Sequence, residues 1–213
     1  MSAPKGVASI DAHPLHRFYP HMLAPKKKSF QQHLYTCQLK ITLSESKPSI
    51  WRRLQVPDNI KLNRLHDVFQ VVMGWTDSHL HQFHGEDGVY TVPDEDSDPE
   101  DYDERKYTLH DIALCEKDEF VYEYDFGDCW EHEVVVEAHL PPMEKRHAVC
   151  MDGKNACPPE DCGGIPGYYE FLKAICNPKH EDHQQMIRWI GGSFDPKHFD
   201  IQKVNARLKR MKI

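Results

Sequence analysis

Residues 119–138, EFVYEYDFGDCWEHEVVVEA, constrain the fold more than any other stretch of the chain. Two runs that alternate apolar with acidic side chains flank a glycine-containing turn, the pattern of an antiparallel hairpin with one face wet. A two-residue loop at 127–128 would set Tyr124 against Glu131 and Asp125 against Trp130, mixing acids into the apolar face. A three-residue loop at 127–129 pairs Phe126 with Trp130, Tyr124 with His132, Tyr122 with Val134 and Phe120 with Val136. That register segregates the faces, as a half-buried sheet requires, and is the one expected. It also sets Asp125 opposite Glu131, Glu123 opposite Glu133 and Glu119 opposite Glu137. Like charges across a ladder destabilise it, so solvent, Arg52 or Arg53, or a cation has to compensate.

Around the hairpin the chain divides into strands early and helices late. LYTCQLKITL (34–43) and IWRRLQVP (50–57) read as strands joined by a Ser/Pro turn. Leu62, Leu65, Val68, Phe69, Val72 and Met73 recur at helical spacing over 61–73, and Gly74 is placed to stop that helix. SHLHQFHG (78–85) reads as a short strand with His79, His81 and Phe83 on one face. Residues 107–114 suit a turn or two of helix. Residues 167–175, 180–190 and 196–213 read as three helices separated by Asn-Pro and Gly-Gly breaks. The expectation is an α+β fold: a mainly antiparallel sheet, one helix from the N-terminal half packed on it, and a helical C-terminal part. Residues 1–30 are expected as a flexible tail, 31–213 as a single domain, and 85–105 as an acidic mobile loop within it.

The formal charge of −8 is local. Residues 85–104 carry ten acids and no base, and the rest of the chain holds 26 basic against 24 acidic residues. A near-neutral body argues against a broad nucleic-acid surface, though not against a local one. No apolar run approaches the ~20 residues of a membrane span, and the N-terminus has no apolar signal core. Seven cysteines in that setting imply a reducing cytoplasmic environment, with thiols free, reactive or metal-bound.

Three groups of residues could carry chemistry. His147, Cys150, Cys157 and Cys162 form a His-x2-Cys-x6-Cys-x4-Cys series, formally a Cys3His donor set for Zn2+. Pro158, Pro159, Gly163 and Gly164 shape its turns. The alternatives for the same cysteines are buried free thiols and a disulfide or redox pair. His79, His81 and His132, with Tyr124 and a carboxylate such as Asp125, Asp77 or Asp128 at the rim, could meet on one face of a sheet and hold a catalytic metal; the alternative is ordinary core or rim histidines. Ser78 and His79 are adjacent, so on a strand they point to opposite faces and form no dyad. Lys197, Lys203, Arg207, Lys209, Arg210 and Lys212 give the last helix a basic face, suited to nucleic acid, to the chain's own acidic segment, or to solvent alone. Phosphate-binding loop signatures are absent.

The segments YTCQLKITL…KPSIWRRLQVPDN, LHDVFQVVMGWTDSHLHQF, YEYDFGDCWEHEV, ACPPEDCGGIPGYYEFL and FDPKHFDIQKVN, in that order over about residues 33–208, resemble the plasmid pRiA4b ORF-3-like family. The resemblance implies a passenger protein of plasmids and transposons, from a family of unassigned activity. Some relatives carry a resolvase-like label, but no recombinase nucleophile with its arginine cluster is recognisable here. The resulting expectation is a binding or accessory protein with a nucleic-acid or protein partner and no membrane association. A metal-dependent enzyme, such as a hydrolase, using the histidine face is the first alternative. A nucleic-acid-binding accessory using the basic helix is the second.

Overall fold

The hairpin lies at the heart of an eight-stranded sheet in the computed structural model, which describes residues 35–94, 98–144, 147–211 and 213. The tail at 1–30 lies outside the described residues. Strands β1 (Thr36–Leu43), β2 (Trp51–Pro57), β3 (His81–Gly85), β4 (Gly88–Thr91), β5 (Tyr102–Asp103), β6 (Glu119–Tyr124), β7 (Trp130–Leu140) and β8 (Val149–Lys154) run in the order β5-β4-β3-β6-β7-β1-β2-β8. Only β4 and β5 pair in parallel; the other neighbours are antiparallel. Helix α1 (Leu62–Met73) comes from the N-terminal half, the short α2 (Leu109–Ile112) from mid-chain, and α3 (Gly164–Cys176), α4 (His183–Trp189) and α5 (Ile201–Leu208) from the C-terminal part, so the α+β class holds. The described residues belong to one compact unit, Leu34–Ile213.

Alternation in β1, β2, β6 and β7 turns Leu39, Ile41, Leu54, Val56, Phe120, Tyr122, Trp130 and Val134 to one buried face. The apolar stripe of α1 belongs to the same core. Gly74 ends α1 at φ 95°, a left-handed conformation that glycine adopts without a Cβ penalty, and its N–H caps the Gln70 carbonyl. Among the described residues, no helix is long and apolar enough to cross a membrane.

The hairpin register differs from the expected one by two residues. Tyr124 pairs with Trp130, Tyr122 with His132 and Phe120 with Val134. The loop is therefore 125–129, and Phe126 is exposed in it. Asp125 and Cys129 both adopt left-handed backbone, at φ 60° and 52°. Asp125 Oδ1 accepts from the N–H groups of Gly127 and Asp128, an Asx-type closure that a longer loop needs. A shift of two keeps every side chain on its face, so segregation alone could not separate the two registers.

The shift leaves Glu123 opposite Glu131 as the like-charge pair. Glu123 accepts from Gln82 Nε2 at 2.7 Å and faces His84 Nε2 at 3.3 Å. Further along the same face, Arg53 grips Glu137 with two donors, at 2.5 and 2.8 Å, and holds its carboxyl below the usual range. Arg52, one residue earlier, points the other way and is buried in the core. The acidic segment is not one loop: β4 and β5 lie within it, the 3₁₀ turn Glu104–Lys106 begins at its end, and Glu104 is buried. Cys150 lies in a strand, β8, rather than in the turn-rich stretch that follows it.

Candidate functional site

His66, on the buried stripe of α1, meets His81 from β3 in a parallel stack, ring centroids 3.4 Å apart. Each ring has its own partner. His66 Nε2 lies 2.9 Å from Asp77 Oδ1, and His81 Nε2 lies 2.9 Å from Glu104 Oε2. Gln70 fixes the proton positions around His66. Its Oε1 accepts from the Asp77 backbone N–H, so its Nε2 donates to Tyr122 Oη. The hydroxyl can then donate to His66 Nδ1 at 2.8 Å, leaving Nε2–H to donate to Asp77. Burial, followed by the proximity of His81, pushes His66 below its ordinary value and favours this neutral ring.

Three segments converge beside this network: the loop 75–80 after α1, the hairpin tip 125–129, and residues 158–164 leading into α3. Trp75 Nε1 donates to the Pro158 carbonyl at 3.0 Å. Glu160 accepts from Thr76 Oγ1 at 2.5 Å and from Tyr124 Oη at 2.6 Å, and Tyr124 Oη accepts from the Ser78 N–H. Gly163 N–H donates to Asp128 Oδ2 at 3.1 Å. Burial pushes the Glu160 carboxyl up, but the Thr76 and Tyr124 hydrogen bonds outweigh it and leave the group below its usual range. Burial also raises the Tyr124 phenol well above its ordinary value, so it serves as a donor.

At the edge of this junction His79 Nε2 lies 3.5 Å from Asp125 Oδ2 and 3.2 Å from Asp161 Oδ1. The nitrogen is enclosed yet makes no hydrogen bond. Asp161 also lines a cleft of about 510 Å3 between α3 and α4. Phe171, Ala174, Met186 and Trp189 give the cleft its apolar surface, with Glu170 and Asp182 as further acids.

The histidines singled out from the sequence therefore part company. His79 precedes β3 and stands with Asp125 and Asp161. His81 stacks on His66. His132 is wholly buried, with Nδ1 against the Tyr122 carbonyl at 3.2 Å and Nε2 without a partner. Among the described residues, two sets of three His, Cys, Asp or Glu bring ligand atoms within 4.8 Å: His66/Asp77/His81 and His79/Asp125/Asp161. Neither includes Cys150, Cys157, Cys162 or His147. All seven cysteines are free. Cys157 Sγ accepts from Arg52 at 3.2 Å, Cys150 Sγ faces the Asp152 carbonyl, and Cys162 faces the cleft. Burial pushes the Cys150 thiol up to about 11, Cys162 to about 12, and Cys157 upward as well.

On α5, Lys203 and Arg207 are exposed, as are Lys209 and Arg210 beyond it, while Leu208 is buried. His66, Asp161, Glu160 and Glu104 were missed by sequence reasoning. His66 left a signal, because it falls on the apolar stripe one position after Leu65. Asp161 and Glu160 left none beyond two acids beside Pro158 and Pro159.

Three of the segments that carry the family resemblance, WTDSHLHQF, YEYDFGDCWEHEV and ACPPEDCGG, are the ones that meet at this junction. The chain is 40% identical over 173 residues to the uncharacterized protein y4hQ of Sinorhizobium fredii (strain NBRC 101917 / NGR234), covering 80% of this chain and 89% of that protein. The crystal structure of the protein of unknown function MM3350 from Methanosarcina mazei Go1 superposes with a TM-score of 0.72 at 34% identity, covering 79% of this chain and 97% of that one. Residues 35–203 match the family described as plasmid pRiA4b ORF-3-like protein, and the chain belongs to that family.

Proposed function

We propose that the protein is a cytoplasmic binding protein whose α3–α4 cleft takes a small organic cation with an apolar body. The observation that carries the reading is the cleft's pairing of an apolar wall with acids. Phe171 and Trp189 meet edge to face at 5.6 Å, and Trp189 is 46% exposed. Asp161, Glu170 and Asp182 stand around them, and among the described residues no lysine or arginine lines the cleft, although Lys173 pairs with Glu170 and His180, also in the lining, lies 3.8 Å from Asp182. Aromatic faces and carboxylates both attract a cation and gain from its partial desolvation. A volume of about 510 Å3 suits a small molecule. Seven free thiols are consistent with a reducing compartment.

Calorimetric titration of the full chain with phenethylamine and its neutral isostere 2-phenylethanol tests the reading. The amine is expected to bind about tenfold tighter than the alcohol, a difference of about 1.4 kcal/mol. Trp189→Ala and Asp182→Asn are each expected to weaken amine binding. Equal binding of amine and alcohol, no binding at millimolar amine, or amine binding unchanged in both variants would overturn it.

A further inference from the structure

We propose that His79, Asp125 and Asp161 form a site for one divalent first-row transition cation, of the Zn2+ or Mn2+ class, with coordination positions left open. The three side chains come from three different segments, and each segment is pinned by bonds that do not use the ligand atoms. Asp125 spends Oδ1 on the N–H groups of its own loop, and its N–H donates to the Leu80 carbonyl, beside His79. Oδ2 is thereby turned toward His79 on a side chain only 9% exposed. Asp161 follows Glu160, which is tied to Thr76 and Tyr124, and Gly163 is tied to Asp128 on the other side. Ligands held in this way lose little freedom on binding.

The distances suit coordination, and the missing hydrogen bond at His79 Nε2 favours it over an ion pair. Donor atoms bound about 2.0–2.2 Å from one cation lie roughly 2.8–3.6 Å apart, for angles between octahedral and tetrahedral. The Nε2 separations of 3.2 and 3.5 Å fall at this spacing. His79 Nε2 makes no hydrogen bond to either carboxylate although it is shut off from solvent. An enclosed ring nitrogen without a partner is rare and costly, and a cation between the three groups would satisfy it. Charge points the same way: the ion-pair contacts of Asp125 and Asp161 among the described residues are with His79 alone, so no lysine or arginine already neutralises them.

The donor set limits the metal. One imidazole and two carboxylates suit Zn2+, Mn2+ or Fe2+, whereas Ca2+ takes six to eight oxygens and soft thiolate sites draw Cu(I). Three protein ligands leave room for water or a substrate, the arrangement of reactive rather than structural centres. His66, Asp77 and His81 are equally close to one another but unsuited. Their rings are stacked with 8° between planes, so the in-plane lone pairs run parallel and cannot converge on one ion. The nitrogens nearest Asp77 and Glu104 are moreover already hydrogen-bonded.

The test is metal binding by the full chain after chelator treatment, read as Zn2+ calorimetry and as the visible absorption of Co2+. One site per chain is expected, weakened about tenfold or more in Asp161→Asn and in His79→Gln. Asp161 is 72% exposed at its side chain, so its substitution leaves the fold intact. Absence of a stoichiometric site would sink the proposal. So would affinity unchanged in both variants, or a site lost in Cys157→Ser and Cys162→Ser but kept in Asp161→Asn. Amine binding in the cleft is scored on Trp189 and Asp182 in the presence of chelator, so the two proposals fail separately.

Discussion

Two buried basic side chains lie close to the core's centre and behave in opposite ways. Arg52 is satisfied by the carbonyls of Val72, Trp51 and Lys154, by the Cys157 sulfur, and by the Phe199 ring 3.9 Å beneath it. His132 has the Tyr122 carbonyl against Nδ1 and no hydrogen-bond partner at Nε2 among the described residues. Burial, with the Arg52 charge adding to it, pushes its imidazole down to about 4. Between about pH 4 and 6.5 the unfolded chain therefore binds a proton at His132 that the folded chain refuses, so stability falls as pH drops through that window and levels off below it. His66 is shifted in the same direction and adds to the slope. Urea denaturation at pH 7 and pH 5 should show a loss of about 2 kcal/mol attributable to His132. His132→Phe should shrink the difference between the two pH values by about that amount; an undiminished difference would assign the pH dependence elsewhere.

At the level of elements, the junction depends on how closely the turn after the cysteines approaches its own carbonyl and the hairpin. Gly167, in the first turn of α3, leaves no room for a side chain: a Cβ there would lie 1.9 Å from the Cys162 carbonyl oxygen. Gly164 has φ +65°, and its Cβ would lie 2.6 Å from the Asp128 carbonyl oxygen at the hairpin tip. Gly167→Ala has to displace backbone, and overpacking of this kind costs about 1–3 kcal/mol or more. Its thermal midpoint should fall, whereas Gly191→Ala meets nothing within 4 Å and strains only its own left-handed backbone. Equal and small effects at the two positions would show that the 158–164 segment does not need its close docking. The elements were legible in the sequence where periodicity spoke: α1 with its Gly74 stop, β1, β2 and the segregated hairpin. The register was not, because two registers two residues apart segregate faces equally and only the Asp125 closure separates them. The start of β3 at His81 was hidden for a related reason. His79 fits the alternation, but it belongs to the loop that Tyr124 ties down through Ser78.

At the scale of the whole sheet, its two edges decide how it is closed to other chains. One edge, at β4 and β5, is short and acidic, which discourages pairing with another chain. The other, β8, was not legible as a strand because VCMDGK lacks strand-like alternation, and so the part played by α5 was hidden as well. Asn205 of α5 bonds both backbone groups of Cys150: Oδ1 accepts from the N–H at 2.9 Å and Nδ2 donates to the carbonyl at 2.8 Å. Phe199 stacks on Arg52 and Leu208 is fully buried. The last helix thus closes the sheet, whatever its exposed basic residues do. A chain ending at Asp195 would bare the β8 edge and the Arg52 guanidinium together. It is expected to lose the sharp urea transition of the full chain and to associate at micromolar concentration, as seen by light scattering. Asn205→Ala, which strands two buried backbone groups while leaving the rest of α5, should cost about 1–3 kcal/mol and keep the chain monodisperse. A truncated chain that stays monodisperse with an unchanged transition would show that β8 is held by β2 alone, and that α5 is free to serve its basic face.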